Sequence, residues 1–346
     1  MKIMTGNDIL NFYSVGFDKT YLNEFIEVDK IFPVKISEYY FKLALAHQQI
    51  FKQAMPSIAE LESNDNSHFD PLSEELYQPV KGLIHKYVGK VIILTTNNCF
   101  MNCRHCTRKR LMKSSINFNE PNYDEVVNYL KSHEEINDVL LTGGDVLFLN
   151  DDKLLSIIDR ISSIKHINSI RLGTRALVTQ PSRITNGLAQ KLSEYKNIWI
   201  NTQYNHPFEL TEESLHACEK LQNKGIPICN QTVILKNVND DYATLKELFK
   251  KLVHNRIIPY YLYLCDNVSS VTHFATAPLF GAEVVYKLRQ ELPGMAIPRY
   301  IIDTQSKCGK IIGELHSICK YGEDYVVIHD FETNNHINHK INFPKI

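Results

Sequence analysis

The chain has 346 residues, a hydrophobic content of 44% and a formal net charge of −1, so it can bury a large core and has no bulk charge that would attract nucleic acid. Its polar first residues do not resemble a signal peptide, and no apolar run is long enough to span a membrane. Eight cysteines in a chain of this length do not predict a disulfide-stabilised fold. We therefore expect a cytoplasmic protein with one main domain and neither a nucleic-acid nor a membrane partner.

Three regions are predicted along the chain. Residues 1–85 have helical and loop character, with helices at 7–17 and 37–53. Residues 86–297 alternate between short apolar strands and amphipathic helices. Residues 298–346 form a C-terminal extension with strand-like pieces at 299–303 and 325–331.

The alternating region determines the predicted fold class, which is α/β. Six strands are predicted at residues 91–97, 138–144, 169–175, 198–205, 226–235 and 258–266. Six helices are predicted at residues 123–133, 151–164, 184–195, 211–224, 241–254 and 277–292. Strict alternation favours right-handed parallel crossovers and a partial (β/α)6 barrel, with a flat doubly wound sheet as the alternative.

Three cysteines follow the first predicted strand. Cys99, Cys103 and Cys106 are separated by three and then two residues. A structural zinc site usually has four ligands, whereas three thiolates can hold a four-iron cluster that leaves one iron open to another ligand. The alternative is three unrelated buried or zinc-binding cysteines.

Polar residues also lie where the other predicted strands end, and in a parallel barrel these ends form one mouth. Gly143-Gly144 would let the backbone approach a ligand closely, although a tight turn is the alternative. Asp266 and Asp303 either cap turns or hold a substrate ammonium between them. Lys310 is either a surface lysine or, if a pocket holds it, a residue that could bind pyridoxal phosphate covalently.

Several long motifs together resemble one family. Residues 99–110 closely resemble the cluster loop of lysine 2,3-aminomutase, and residues 138–145 and 230–240 are similar to that family too. Shorter likenesses occur at residues 70–75, 79–87 and 259–266, and the register is kept from about residue 32 to about residue 331. The chain is thus identified as a member of this radical S-adenosylmethionine family, which implies a partial TIM-like barrel.

The resemblance implies three cofactors: a 4Fe–4S cluster, S-adenosylmethionine and pyridoxal 5′-phosphate. The implied cluster ligands are Cys99, Cys103 and Cys106. The implied S-adenosylmethionine contacts are Gly143, Gly144 and Asp145, with Gln203 and His206 nearby. Lys310 matches the lysine that carries pyridoxal phosphate, and the residues expected around the phosphate are Lys86, Tyr87 and Lys90.

The resemblance also implies a substrate and a reaction. Arg108 matches the residue that pairs with the substrate carboxylate, and Asp266 and Asp303 match the pair that holds the distal ammonium of lysine. The implied activity is that of an isomerase that interconverts L-lysine and β-lysine by 1,2-amino migration. Alternatives are the same chemistry on arginine, ornithine, glutamate or a protein-linked residue, and a relative that does not use pyridoxal phosphate. The pair of aspartates argues against glutamate.

Two departures from the family pattern concern the shape of the cofactor pocket and the assembly of subunits. The approach to Lys310, residues 304–309, is bulkier than in the family and contains a second lysine, Lys307. The tail, residues 334–346, lacks the cysteines that bind zinc between subunits in longer members, and His336 and His339 are not expected to replace them. A homo-oligomer and a reducing partner of the flavodoxin or ferredoxin type remain expectations.

Overall fold

The computed structural model describes residues 2–13, 16–62, 68–113, 118–303 and 310–313, and the backbone of residues 318–321, 325–330 and 335–340. The strands in this part of the chain are β1 (Ile3–Thr5), β2 (Lys35–Ser37), β3 (Leu83–Tyr87), β4 (Lys90–Thr96), β5 (Asp138–Gly143), β6 (Ser169–Gly173), β7 (Ile198–Thr202), β8 (Ile228–Val233), β9 (Ile258–Tyr263), β10 (Arg299–Asp303), β11 (Lys310–Ile312), β12 (Ile318–Tyr321), β13 (Tyr325–Asp330) and β14 (Asn335–Lys340). The α-helices are α1 (Gly6–Tyr13), α2 (Lys19–Ile31), α3 (Glu38–Ala46), α4 (Gln48–Ala54), α5 (Tyr123–Ser132), α6 (Asp151–Ser162), α7 (Ala176–Thr179), α8 (Asn186–Leu192), α9 (Glu212–Gln222), α10 (Tyr242–His254) and α11 (Pro278–Glu291).

One large sheet contains strands β3 to β11 in the order of the sequence. Strands β4 to β10 run parallel, while β3 and β11 pair antiparallel at the two edges. A doubly wound sheet would reverse its strand order at a switch point. Here each crossover adds a strand on the same side, so the helices cover one face and the sheet curls into an open barrel around a cavity. The predicted partial barrel is confirmed.

The six predicted parallel strands are present as β4 to β9, and β10 continues the sheet beyond β9 as a seventh parallel strand. The sequence pattern places β10 in the C-terminal extension, and the division into three regions stays a prediction. The predicted helices match α5, α6, α8, α9, α10 and α11. In α6, the Asn150 side chain accepts a hydrogen bond from the Lys153 amide at 2.9 Å and starts the helix. Leu154, Ile157 and Ile161 then form part of its buried face.

The N-terminal segment packs against the loops at the carboxyl ends of the barrel strands. The amide of Asn102 donates to the carbonyl of Lys35 at 2.8 Å, and the amide of Arg104 donates to that of Gln53 at 2.9 Å. The single helix predicted at residues 37–53 is wrong, because His47 is extended and separates α3 from α4. At this break the His47 ring stacks on Phe208, with 4.1 Å between the ring centroids.

Strands β12, β13 and β14 form a separate antiparallel sheet, in which β13 matches the strand predicted at residues 325–331. In the part of the chain that the structure describes, no helix combines the length and hydropathy needed to cross a membrane.

Candidate active site

A cavity of about 680 Å³ occupies the interior of the barrel. It extends from the loops after the strands, including Cys99 and Asp145, to the amino ends of β4 and β5, including Gly89 and Asp138. Most predicted site residues line it: Lys86, Tyr87, Lys90, Cys99, Cys103, Cys106, Arg108, Gly143, Gly144, Asp145, Gln203, Asp266, Asp303 and Lys310. Within the described part of the chain, His206 is the predicted site residue that does not line this cavity.

The three cysteines are free thiols at the carboxyl end of the cavity. Burial, with the nearby Asp145, raises the pKa of Cys99, and burial raises the pKa of Cys106 to about 11. The Cys99 and Cys106 thiols are therefore protonated until iron binds and displaces the protons. Among the described residues, no three His, Cys, Asp or Glu side chains converge on a point that a single metal ion could occupy. A cubane does not need such convergence, since each thiolate binds a different iron.

A buried ion network fixes the loop that carries these cysteines. Arg104 and Lys109 are fully buried, and both bind the carboxylate of Glu60. The Arg104 Nε donates to Glu60 Oε1 at 2.9 Å, and the Lys109 Nζ lies 2.6 Å from Glu60 Oε2. Burial alone would raise the pKa of Glu60, but the two cations outweigh it and lower the pKa. Arg104 and Lys109 therefore have a structural role in this loop. Their shared partner, Glu60, was not predicted from the sequence.

Gly143 and Gly144 lie directly against the backbone of the cysteine loop. Gly143 has a φ of +118°, which favours glycine. A Cβ on Gly144 would overlap the carbonyl oxygen of Asn98, and the Gly144 amide donates to the Thr96 carbonyl. The two glycines therefore allow two loop backbones to touch, and this contact requires glycine even without a ligand.

Asp145 links the end of β5 to the end of β6. Its carboxylate accepts hydrogen bonds from Thr174 Oγ1 at 2.6 Å and from the amides of Arg175 at 2.8 Å and Leu147 at 3.0 Å. Burial raises the pKa of Asp145, and these hydrogen bonds oppose that rise. The carboxylate thus orders the rim of the cavity directly after the two glycines.

The other two predicted S-adenosylmethionine contacts differ in position. Gln203 lines the cavity, and its carbonyl accepts a hydrogen bond from Arg175 Nε at 3.1 Å. His206 instead accepts from the Phe208 amide through Nδ1 at 3.2 Å and caps a short 3₁₀ turn. Burial lowers the pKa of His206, so the ring is neutral at pH 7.

His105, between the second and third cysteines, is a cavity residue that the sequence analysis missed. Its ring is buried, burial holds its pKa well below the ordinary value, and Nε2 lies 3.3 Å from Asn205 Nδ2. If that amide donates, the proton of the neutral ring is on Nδ1. Within the described part of the chain, Nδ1 has no hydrogen-bond partner.

Lys310 lies on edge strand β11, directly opposite Asp303 on β10. Its ammonium forms an ion pair with the Asp303 carboxylate and lies 4.8 Å from the centroid of the Tyr263 ring. Lys307 and the rest of residues 304–309 lie outside the described residues, so the predicted difference in this loop is not addressed by the structure.

Lys86, Tyr87 and Lys90 line the same part of the cavity from β3 and β4. Lys86 Nζ donates to the carbonyl of Leu72 at 3.1 Å, and Lys90 Nζ lies 4.4 Å from the centroid of the Tyr87 ring. Burial lowers the pKa values of both lysines, and the positive charge of Lys310 lowers them further. The carboxylate of Asp303 acts in the opposite direction. A group with negative charge would be stabilised between these ammonium groups.

Asp266 follows β9 and is linked to the cysteine loop. Thr107, the residue after Cys106, donates from its hydroxyl to Asp266 Oδ2 at 2.5 Å. Burial, together with the charge of Asp303, raises the pKa of Asp266 to about 6. A cation bound beside Asp266 and Asp303 would offset the desolvation of these carboxylates and the repulsion between them.

Arg108 lines the cavity but already has a protein partner, Glu74. Its Nη2 and Nε donate to the buried Glu74 carboxylate at 2.7 and 3.0 Å. Arg110 Nη2 binds the same carboxylate at 3.0 Å. Glu74 lies 34 residues before Arg108, and its role was not predicted from the sequence.

The sequence is similar to those of known proteins. The model of the radical SAM superfamily matches residues 93–249. An L-lysine 2,3-aminomutase from Methanococcus maripaludis is 41% identical over 327 residues, which are 93% of this chain and 76% of that protein. One from Fusobacterium nucleatum is 39% identical and covers 86% of this chain and 71% of its own. A glutamate 2,3-aminomutase from Clostridioides difficile is 37% identical, covering 91% of this chain and 75% of its own. The chain therefore belongs to the lysine 2,3-aminomutase family, a group of isomerases within the radical SAM superfamily.

Proposed function

We propose that this protein is a lysine 2,3-aminomutase, which interconverts L-lysine and β-lysine. The observation that carries the proposal is the joint placement of Asp266, Asp303 and Lys310 in the cavity that also holds the three cysteines. The names of the relatives at 41% and 39% identity support the same substrate.

The residues at the carboxyl end fit a cluster with S-adenosylmethionine. Cys99, Cys103 and Cys106 would bind three irons, and the fourth iron would face the cavity. His105 lines the cavity, and among the described residues its buried Nδ1 has no hydrogen-bond partner, so this nitrogen could bond a polar ligand. The cluster and S-adenosylmethionine, when bound, supply abstraction and return of a hydrogen atom, and the family membership implies both groups.

The residues at the other end fit pyridoxal phosphate. Lys310 provides an amine in the cavity, and Lys86 and Lys90 are ammonium groups whose pKa values are lowered by burial. A phosphate bound between them would stabilise the positively charged form of both lysines. Pyridoxal phosphate, when bound, holds the migrating nitrogen covalently.

The protein's own contribution is to position the substrate and exclude water. Asp266 and Asp303 would bind the distal ammonium of lysine, which loses hydration in the cavity. Arg108 would orient the carboxylate, with its guanidinium plane held by Glu74. Fixing both ends of the substrate would place its α and β carbons reproducibly. Such positioning lowers the barrier of the reaction.

Glutamate is the second candidate substrate, because one relative is a glutamate 2,3-aminomutase. The charges of the cavity argue against it. The side-chain carboxylate of glutamate would meet Asp266 and Asp303, and like charges in a buried site repel strongly. An external reductant of the flavodoxin or ferredoxin type and a homo-oligomeric assembly complete the proposal.

The decisive experiment is a substrate panel. Anaerobically reconstituted and reduced protein is incubated with lysine, arginine, ornithine and glutamate, and β-isomers are measured by mass spectrometry. We expect β-lysine as the main product. A preference for glutamate would contradict the role of the aspartates, whereas a preference for arginine would retain that role and change the substrate.

A further inference from the structure

Arg175, the residue that follows Thr174 at the end of β6, makes a direct contact with one cluster cysteine. Its Nη1 donates a hydrogen bond to the Cys103 Sγ at 2.9 Å. The side chain is 9% exposed, so this positive charge is almost fully removed from water. At such a position a charge acts on its neighbours far more strongly than on the surface.

The position of Arg175 is determined by protein partners other than the cysteine. Its Nη2 donates to Glu209 Oε1 at 2.7 Å, and its Nε donates to the carbonyl of Gln203 at 3.1 Å. Glu209 is itself fully buried and also accepts hydrogen bonds from the Tyr40 hydroxyl at 2.5 Å and the Asn205 amide at 2.6 Å. Glu209 and Gln203 thus fix the guanidinium through Nη2 and Nε, and Nη1 remains to bond the Cys103 sulfur.

Hydrogen bonds to cluster sulfurs and nearby charges set the reduction potential of iron–sulfur clusters. A cluster that accepts an electron becomes more negative, and a donor with positive charge stabilises that reduced state. In the reaction proposed above, one electron passes from an external flavodoxin- or ferredoxin-type reductant to the cluster, and no proton has to accompany it.

We infer that Arg175 is a positioning residue that raises the reduction potential of the cluster through Cys103, and that Glu209 moderates this effect. The inference rests on the cluster of the proposed function but not on its substrate. It predicts that removing the charge of Arg175 and removing the charge of Glu209 shift the reduction potential of the cluster in opposite directions.

The test is a reduction-potential titration of the reconstituted protein, followed by electron paramagnetic resonance, without amino-acid substrate. Arg175→Gln removes the positive charge, so we expect a more negative midpoint potential. Glu209→Gln removes the compensating negative charge, so we expect a less negative one. Iron and sulfide contents are measured on every sample, so that altered loading is not mistaken for altered potential.

Arg171→Gln is the matched control. Arg171 also lines the cavity and is paired with a carboxylate, that of Asp138, at 2.9 Å. Because its guanidinium binds Asp138 rather than a cysteine, we expect a smaller shift than for Arg175→Gln. Equal shifts for the two arginine variants would overturn the inference, since general loss of charge would then account for both.

Loss of one partner of a buried pair can prevent folding. If either single variant fails to hold a full cluster, the charge-neutral pair Arg175→Met with Glu209→Gln is measured instead, and a more negative potential is expected because the nearer charge dominates. An unchanged potential in a fully loaded variant overturns the inference. Failure of the unmodified protein to hold any cluster would instead overturn the proposed function.

Discussion

The two ends of the cavity balance charge in opposite ways. At the cysteine end, Arg104 and Lys109 share Glu60, and Arg175 is paired with Glu209, so each buried cation has a protein anion. At the lysine end, the positive charge of Lys310 lowers the pKa values of Lys86 and Lys90 in addition to burial, and Lys310 is paired with Asp303. The named cations at the cysteine end are thus neutralised by the protein, whereas an anion bound at the lysine end would stabilise the charged forms of Lys86 and Lys90. Substitutions at each end of the cavity test this difference.

The largest effect is expected for Cys103→Ala. Loss of one thiolate removes the protein ligand of one iron, so we expect loss of the cubane and of all turnover. Iron and sulfide analysis after anaerobic reconstitution measures this directly. Cys218→Ala is the control, because Cys218 is buried in α9, away from the cavity lining. A full cluster and turnover in Cys103→Ala would show that the ligand assignment is wrong.

Lys310→Ala should abolish covalent attachment of pyridoxal phosphate while leaving the iron–sulfur spectrum intact, because the two groups bind at different ends of the cavity. Borohydride reduction followed by peptide mapping identifies the modified lysine. We expect the label on Lys310 and none on Lys307. A label on Lys307 would contradict the alignment of this loop with the family.

Asp303→Asn and Asp266→Asn should each lower kcat/KM for lysine. Removal of one partner of a buried charge pair typically costs about 3–5 kcal/mol, which corresponds to roughly 10²- to 10³-fold or more. Because Asp303 also binds Lys310, pyridoxal phosphate content is measured alongside. Asp159→Asn, an exposed aspartate of α6, is the control. Equal turnover in either cavity variant and this control would exclude the proposed contact.

The smallest effect is a pH dependence. The pKa of Asp266 is raised to about 6 in the substrate-free protein, so the carboxyl takes up a proton as the pH falls through this value. The charge that binds a substrate ammonium is then lost, and kcat/KM for lysine should fall up to about tenfold per pH unit below 6. A pH profile between 5 and 8 measures the inflection, which Asp266→Asn should remove. Persistence of the same inflection in that variant would assign it to another group.

The sequence pattern was sufficient for the strands and helices of the sheet, because each strand is a short run of β-branched or aromatic residues between clear helices. The choice of a barrel over a flat sheet depended also on the family resemblance. Polar residues at the ends of buried strands, such as Asp266 and Asp303, indicated part of the cavity, since such side chains would be costly unless they face a shared mouth. Lys86, Tyr87, Lys90 and Arg108 were predicted from the family resemblance alone. Ion pairs between residues that are far apart in the sequence could not be predicted from it. Nothing near Arg104 identifies Glu60, and nothing near Arg175 identifies Glu209, because these pairs form only after α-helices and loops have packed. For the same reason, Asp145 could be predicted as a polar group near the mouth, but its capping contacts could not.

The contact between Gly144 and Asn98 bears on how the enzyme matures in the cell. The glycine segment and the cysteine loop share backbone contacts that involve no ligand, so these contacts can hold the loop in place before a cluster is bound. We therefore expect iron starvation to leave a folded, protease-resistant precursor that can be activated later without new synthesis.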